Sequence, residues 1–170
     1  DERATFLAAW RPLFDEILAG PRTWCLRDYH SPNLLWLSER EGLARVGVLD
    51  FQDTILGHPA YDVASLAQDA RVDVSAELEA ELLGSYVAAR RAADPTFDAT
   101  AFRRAYVILA AQRNTRILGV FARLKARDGK PHYLAHVPRL WGYLDRVLDE
   151  AVLQAVKLWY EGAVPADRRG

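Results

Sequence analysis

Two short polar segments carry the side chains that could do chemistry. Residues 26–33 contain Asp28 and Asn33, and residues 49–53 contain Asp50. Mg²⁺ takes carboxylate and amide oxygens from proteins and completes its shell with water and substrate phosphates. A carboxylate outside the metal shell can accept the proton of a hydroxyl that attacks a phosphoryl group. The pattern therefore predicts phosphoryl transfer, with Asp28 as the base and Asn33 and Asp50 as magnesium ligands.

Three apolar runs must position these segments. Residues 23–27, 34–37 and 46–49 are short and rich in aromatic or branched side chains, which predicts strands of one small sheet. An antiparallel pairing of the second and third strands returns the chain to the edge where the pair began. Asn33 and Asp50 would then lie close together, with Asp28 just before the same edge.

The rest of the chain has helical composition and apolar faces. Gly20-Pro21 stops the first helix, and the second half shows no further strand pattern. The predicted helices cover residues 2–19, 61–70, 76–93, 99–125, 133–149 and 151–160. The prediction is a single domain over residues 1–170 with an α+β fold, in which a mainly helical body holds a small β-hairpin sheet and its loops.

Composition excludes several classes of protein. The 22 basic and 23 acidic residues leave a formal charge of −1, so no global field favours a nucleic acid or an anionic membrane. No apolar run reaches membrane-spanning length, and no signal peptide is visible. The single Cys25 cannot form an internal disulfide, which fits a reducing compartment. We therefore expect a cytoplasmic protein with Cys25 buried as a small apolar side chain.

The sequence lacks one part of a nucleotide site. Neither GxGxxG nor GxxxxGK occurs, so no phosphate-binding loop is predicted. The sequence also contains no methionine and starts in a stretch of helical composition. We expect it to be a piece of a longer protein.

The two polar segments resemble the catalytic and metal-binding loops of the aminoglycoside phosphotransferase and choline kinase superfamily. The matching stretches are LRDYHSPN at residues 26–33 and LDFQD at residues 49–53. The stretch GHPAYDVA at residues 57–64 resembles the segment that opens the next helix of that superfamily, where Asp62 would brace the catalytic loop. With QRNTRILGVF at residues 112–121, the pattern is most similar to the anomeric N-acetylmuramate/N-acetylglucosamine kinases of cell-wall recycling.

This resemblance covers nearly the whole chain, as the carboxy-terminal lobe of a protein-kinase-like fold. It implies ATP and Mg²⁺ as cofactors, an amino sugar as acceptor, and an amino-terminal lobe that supplies the missing phosphate loop and lysine. The lobe alone would be inactive. Aminoglycoside, choline or homoserine as acceptor stays open, and so does an inactive pseudokinase or binding lobe. One departure is Leu26, which stands where the superfamily has a histidine.

Two residues of the first segment and one of the second have less specific chemistry. His30 is expected to hold the shape of the loop by bonding the backbone. Arg27 could reach a phosphate or a neighbouring carboxylate, and we group it with the supporting residues. Asp53 fits a second metal ion or a substrate contact as well as it fits a cap for the following turn.

Three polar side chains interrupt a largely apolar helix and need partners there. Gln112, Arg113 and Arg116 either line the sugar pocket or brace acidic side chains inside the protein. For Arg113 we favour a brace to Asp62 or Asp69. The five tryptophans are expected in the core, since aromatic residues spread along a chain are usually buried. Stacking on a sugar ring or base is the alternative, and Trp36, which follows the catalytic loop, is the one tryptophan for which we keep it open.

Overall fold

The computed structural model describes residues 1–169 as six α-helices and four short strands. The strands are β1 Thr23–Cys25, β2 Leu34–Trp36, β3 Val46–Val48 and β4 Ile55–Gly57. The helices are α1 Glu2–Ala19, α2 Ala60–Ala67, α3 Ala76–Ala93, α4 Ala99–Asp128, α5 Val137–Leu148 and α6 Gln154–Ala163. Short 3₁₀ turns cover Ser31–Asn33, Gly42–Arg45, Pro131–His136, Ala151–Leu153 and Ala166–Arg168. The α+β class is confirmed.

The strands form two nested antiparallel pairs. β2 pairs with β3 as an inner hairpin, and β1 pairs with β4 outside it. The prediction of one sheet built from three strands was wrong, because β4 closes a separate sheet with β1. Nesting places the β1–β2 and β3–β4 connections side by side, so both polar segments lie between the two pairs.

Helix ends follow local chemistry at most boundaries. The side chains of Ser75 and Asp98 accept backbone N–H groups at the starts of α3 and α4, as N-caps do. Gly129 ends α4 with a φ of 63°, which glycine adopts without a steric penalty. The predicted helix at 133–149 was too long at its start, since its first residues belong to a 3₁₀ turn that begins at Pro131.

The core lies between helices, with α4 at its centre. α4 packs on both α2 and α5, and α1 packs on α6. The face of α2 toward α4 is built from fully buried Ala60, Ala64 and Ala67. Their small side chains let the two helix backbones come close, which fixes α2 firmly under the polar segments.

The tryptophan prediction was wrong for two of the five. Trp10 and Trp141 are buried, but Trp24 on β1 is 71% exposed and Trp36 on β2 is 69% exposed. Both lie on the strands, away from the helical core. None of the helices described for residues 1–169 combines the length and apolar composition needed to cross a bilayer.

Candidate active site

The two polar connections meet at the end of the inner hairpin. The backbone oxygen of Asn33 accepts the N–H of Leu49 at 2.9 Å, so Asn33 lies directly across from the residue that precedes Asp50. The Asn33 amide nitrogen donates to the backbone oxygen of Asp28 at 3.0 Å. Asn33 therefore touches both connections, as the hairpin argument predicts.

Asp28 occupies a tight turn. Its N–H donates to the oxygen of Leu26 at 2.8 Å, and its own oxygen accepts the N–H of His30 at 3.0 Å. Arg27 before it has a φ of 69°, a left-handed conformation that costs free energy for any residue other than glycine. The half-buried Asp28 carboxylate accepts no hydrogen bond within residues 1–169, which leaves it available to a substrate hydroxyl.

Asp62, near the start of α2, holds the strained turn in place. Its carboxylate accepts the N–H groups of Leu26 at 2.7 Å and Arg27 at 2.9 Å, and the Cys25 thiol donates to it at 3.2 Å. Hydrogen bonds to a charged acceptor are stronger than neutral ones, so they can offset the cost of the left-handed turn. Cys25 is buried as expected, and burial raises the pKa of its thiol to about 12.

Two further side chains from the same part of the chain hold the loop. Asp69, just after α2, accepts the N–H of Ser31 at 2.9 Å, and the hydroxyl of Ser65 lies 3.5 Å from the oxygen of Arg27. Both side chains are buried. The sequence reasoning did not assign them to the loop, although positions 62, 65 and 69 share one face at helical spacing. That spacing was the available signal.

His30 is buried and does not contact the backbone in the way expected. Its Nε2 lies 3.4 Å from the Asn33 amide nitrogen, and its Nδ1 has no hydrogen-bond partner within the described residues. Burial lowers the pKa of His30, outweighing the nearby carboxylate of Asp69. A neutral imidazole can accept the amide N–H, so the ring orients Asn33 instead of the loop backbone.

The second polar connection is more open. Asp50 has a φ of 56°, and its exposed carboxylate accepts a hydrogen bond from the Gln52 side chain. Asp53 is exposed, and its backbone oxygen, 3.4 Å away, accepts a hydrogen bond from the Arg27 guanidinium. Arg27 therefore links the two connections. The carboxylates of Asp50 and Asp53 both face solvent at this edge of the lobe.

A cleft of about 180 Å³ opens beside Asp28 on the side of α4. Asp28, Asp69, Arg71, Arg113 and Arg116 are among its lining residues. Gln112 instead lines a separate cavity of about 350 Å³ toward α1, where Arg27 and Arg116 also lie. The helix thus separates the three polar residues that the sequence grouped together, and Arg113 and Arg116 are the two that reach the cleft.

Arg113 is an internal brace, but its partner differs from the predicted one. Its side chain is only 5% exposed, and it donates to the backbone oxygen of Gln68 at 3.0 Å. No ion pair joins it to Asp62 or Asp69 within the described residues. Arg116 is exposed and donates to the Tyr61 hydroxyl at 3.0 Å.

A buried polar network that the sequence analysis missed runs from Gln68 into the core. The Gln68 side chain accepts from Asn114 at 2.6 Å and donates to Glu79 at 2.7 Å. Glu79 also accepts from Tyr106 at 2.7 Å and from Arg146 at 2.9 Å. The network joins α3, α4 and α5 to Gln68, the residue between α2 and Asp69, and so it supports the residue that holds Ser31.

The donor set at the polar connections fits magnesium. No group of three or more His, Cys, Asp or Glu side chains within residues 1–169 is arranged to hold a metal ion. Asn33 uses its amide nitrogen inward, which leaves its amide oxygen for a cation, and Asp50 supplies an open carboxylate. One amide and one carboxylate oxygen are a sufficient protein contribution for Mg²⁺ where phosphates and water complete the shell.

Comparison with known families decides the assignment. The model of the phosphotransferase enzyme family (APH) matches residues 1–106, which include both polar connections, Asp62 and Asp69. The chain belongs to this family.

Curated relatives narrow the comparison within the family. The chain is 48% identical over 98% of its length to the N-acetylmuramate/N-acetylglucosamine kinase of Caulobacter vibrioides. It is 36% identical over 86% of its length to the protein of the same name from Pseudomonas putida, and 37% identical over 79% to that of Neisseria meningitidis. The aligned parts make up 45%, 42% and 40% of these relatives, so the chain spans less than half of their length.

Proposed function

We propose that the complete protein transfers a phosphoryl group from ATP to the anomeric hydroxyl of N-acetylmuramate or N-acetylglucosamine, in cell-wall recycling. The observation that carries the proposal is the Asp28 carboxylate. It has no hydrogen-bond partner within residues 1–169, it lies on a turn held by Asp62, and it faces a cleft large enough to admit part of a sugar. The names of the aligned relatives supply the acceptor. ATP as donor makes the cytoplasm the proposed compartment.

Asp28 accepts the proton of the acceptor hydroxyl as that oxygen attacks the phosphoryl group. In such reactions the protein mainly positions the reactants and stabilises charge. Asn33 and Asp50 would hold Mg²⁺, which neutralises phosphate charge when it is bound. His30 keeps the Asn33 amide turned inward. Asp62 keeps the turn before Asp28 in its strained form. Arg27 links the two polar connections by a hydrogen bond.

The charge of the cleft favours a sugar over a polycationic aminoglycoside. Such an acceptor needs walls rich in free carboxylates. Three arginines and two aspartates line this cleft, and Asp69 is already bonded to Ser31 and Arg71 backbone N–H groups. The Asp28 carboxylate, half-buried at the cleft and free of partners in the described part of the chain, also argues against a pseudokinase.

A second lobe completes the site in this proposal, with residues 1–170 forming one lobe. The matched relatives are more than twice as long as the chain, and the strands of the chain expose large apolar side chains. A concentration of exposed apolar side chains in one part of a protein marks an interaction site. The additional lobe would cover the strands. It would also supply the phosphate-binding loop and the phosphate-pairing lysine, neither of which can be assigned within residues 1–170.

Replacing Asp28 with Asn in the complete protein tests the proposal. We expect turnover of ATP with either amino sugar to fall by at least about a hundredfold, because a neutral amide cannot accept the proton. The exposed Asp15→Asn on α1 is the matched control and keeps full activity. Phosphorylation by Asp28→Asn at the normal rate would contradict the role of Asp28. Wild-type protein that phosphorylates neither sugar would contradict the acceptor.

A further inference from the structure

We propose that Arg71 and Arg116 form a carboxylate-binding subsite in the cleft beside Asp28, which makes the enzyme prefer an acidic amino sugar over a neutral one. The inference rests on the proposed function and adds the basis of acceptor choice. The two sugars named for the relatives differ in this respect, since N-acetylmuramate carries a carboxylate on its lactyl ether and N-acetylglucosamine carries none.

The cleft has more positive than negative charge available to a ligand. Its guanidinium groups belong to Arg71, Arg113 and Arg116. Its carboxylates belong to Asp28 and Asp69, and Asp69 already accepts the backbone N–H groups of Ser31 and Arg71.

The three arginines differ in how many donors they have left. Arg113 is buried and donates to the oxygen of Gln68, so it supports the wall of the cleft. Arg116 is exposed and uses one nitrogen for the Tyr61 hydroxyl. The exposed Arg71 side chain makes no hydrogen bond or ion pair with any other part of residues 1–169. Arg71 and Arg116 are therefore the two that can turn toward a ligand.

Guanidinium groups match the chemistry of the distinguishing group. The planar fork of an arginine donates two parallel hydrogen bonds to one carboxylate, and such charge-assisted pairs are stronger than neutral ones. The neutral sugar has no group of this kind at the same position. Loss of the arginines would therefore weaken the acidic sugar selectively.

The location of the cleft separates this subsite from the nucleotide. Asn33 and Asp50, the proposed ligands for magnesium at the ATP phosphates, do not line it, whereas Asp28 does. Asp28 must face the acceptor hydroxyl, so the side of Asp28 toward α4 is the acceptor side. Arginines on that side are placed to contact the sugar.

The test compares the two sugars in the complete protein. We expect Arg71→Gln and Arg116→Gln each to lower kcat/KM for N-acetylmuramate by about ten- to a hundredfold, as loss of a charged hydrogen bond does. The value for N-acetylglucosamine and the KM for ATP should change by less than about threefold. Arg71→Lys, which keeps the charge but loses the fork, should recover part of the loss. The matched control is Arg103→Gln, an exposed position on α4 about three helical turns before Arg113.

A binding measurement keeps the two proposals apart. Calorimetry on Asp28→Asn, which is expected to bind without turnover, should give tighter binding of N-acetylmuramate than of N-acetylglucosamine, and Arg71→Gln in that background should remove the difference. Equal losses for both sugars, or a raised KM for ATP, would overturn the subsite while leaving the kinase proposal intact. Absence of phosphorylation of both sugars by wild-type protein would instead overturn the proposed function, and the subsite with it.

Discussion

His30 is a buried histidine whose ring is only partly satisfied. One ring nitrogen contacts the Asn33 amide at 3.4 Å, and the other has no partner within the described residues. Burial lowers the pKa of His30 more than Asp69 raises it, so the folded protein holds the imidazole neutral. A second proton would place a buried charge, only partly compensated by Asp69, next to Asn33 and would stop the ring from accepting the amide N–H.

This arrangement predicts a pH dependence of stability. An unfolded histidine titrates near pH 6.5, and the folded pKa of His30 is lower. Below about pH 6.5 the unfolded chain binds more protons at this site, so the stability that His30 contributes is present above that pH and is lost as the pH falls. We expect the difference in free energy of unfolding between wild type and His30→Asn to shrink from pH 7.5 to pH 5.5 in urea denaturation of the complete protein.

Other histidines do not obscure the comparison. Burial also lowers the pKa of His58, and His58 is present in both proteins, so its share cancels in the difference. A difference that stays constant across this pH range would contradict a neutral buried His30.

α2 acts as a platform for the catalytic loop. Asp62 and Ser65 on one face of α2, and Asp69 just after its end, hold loop backbone groups, while buried alanines on another face fix the helix to α4. Because α2 packs on α4 and its polar face bonds the loop, the helical core determines where the turn at Asp28 lies. A loop held in this way keeps a left-handed Arg27 that a free loop would relax.

Asp62→Asn tests the platform. An amide offers one acceptor oxygen in place of two and brings its own N–H donors toward those of Leu26 and Arg27. We expect the free energy of unfolding to fall by about 2 to 3 kcal/mol, the size of a lost charged hydrogen bond. Amide hydrogen exchange at residues 26 and 27 should speed up as well. The exposed Asp15→Asn serves as control, and unchanged exchange in Asp62→Asn would contradict the platform.

Local patterns at the scale of elements could be predicted from the sequence, whereas long-range pairings could not. The start of α3 and the Asp28-to-Asn33 spacing follow from residue types close together in the chain. β4 consists of only Ile55, Leu56 and Gly57, between a polar turn and His58-Pro59, so it offers no alternation to detect. The Asp69 contact to Ser31 joins positions 38 residues apart, and the sequence supplied only the helical spacing to Asp62 as a clue.

At the scale of the whole molecule, the helices and the strands differ in how many of their large apolar side chains are buried. The helices bury a core around α4, and the strands and their turns keep large apolar side chains in solvent. These side chains include Trp24, Leu35, Trp36, Phe51, Ile55 and Leu56. Some exposed apolar residues are normal on any protein, but nine of the fifteen exposed large apolar side chains described for residues 1–169 fall within residues 24–56. Such a concentration marks a contact surface. The proposed second lobe accounts for this difference.

The exposed tryptophans provide a direct test of that lobe. In the complete protein a covering lobe would shield Trp24 and Trp36 from a soluble quencher, while Trp10 and Trp141 are buried in either case. We expect acrylamide quenching of tryptophan fluorescence to be stronger in residues 1–170 alone than in the complete protein. In the complete protein, Trp24→Phe with Trp36→Phe should change quenching little. In residues 1–170 the same pair of substitutions should remove most of the readily quenched signal. Strong quenching of these two tryptophans in the complete protein would place the additional lobe elsewhere, because a lobe that supplies the phosphate loop to Asn33 and Asp50 must lie over the strands that carry them.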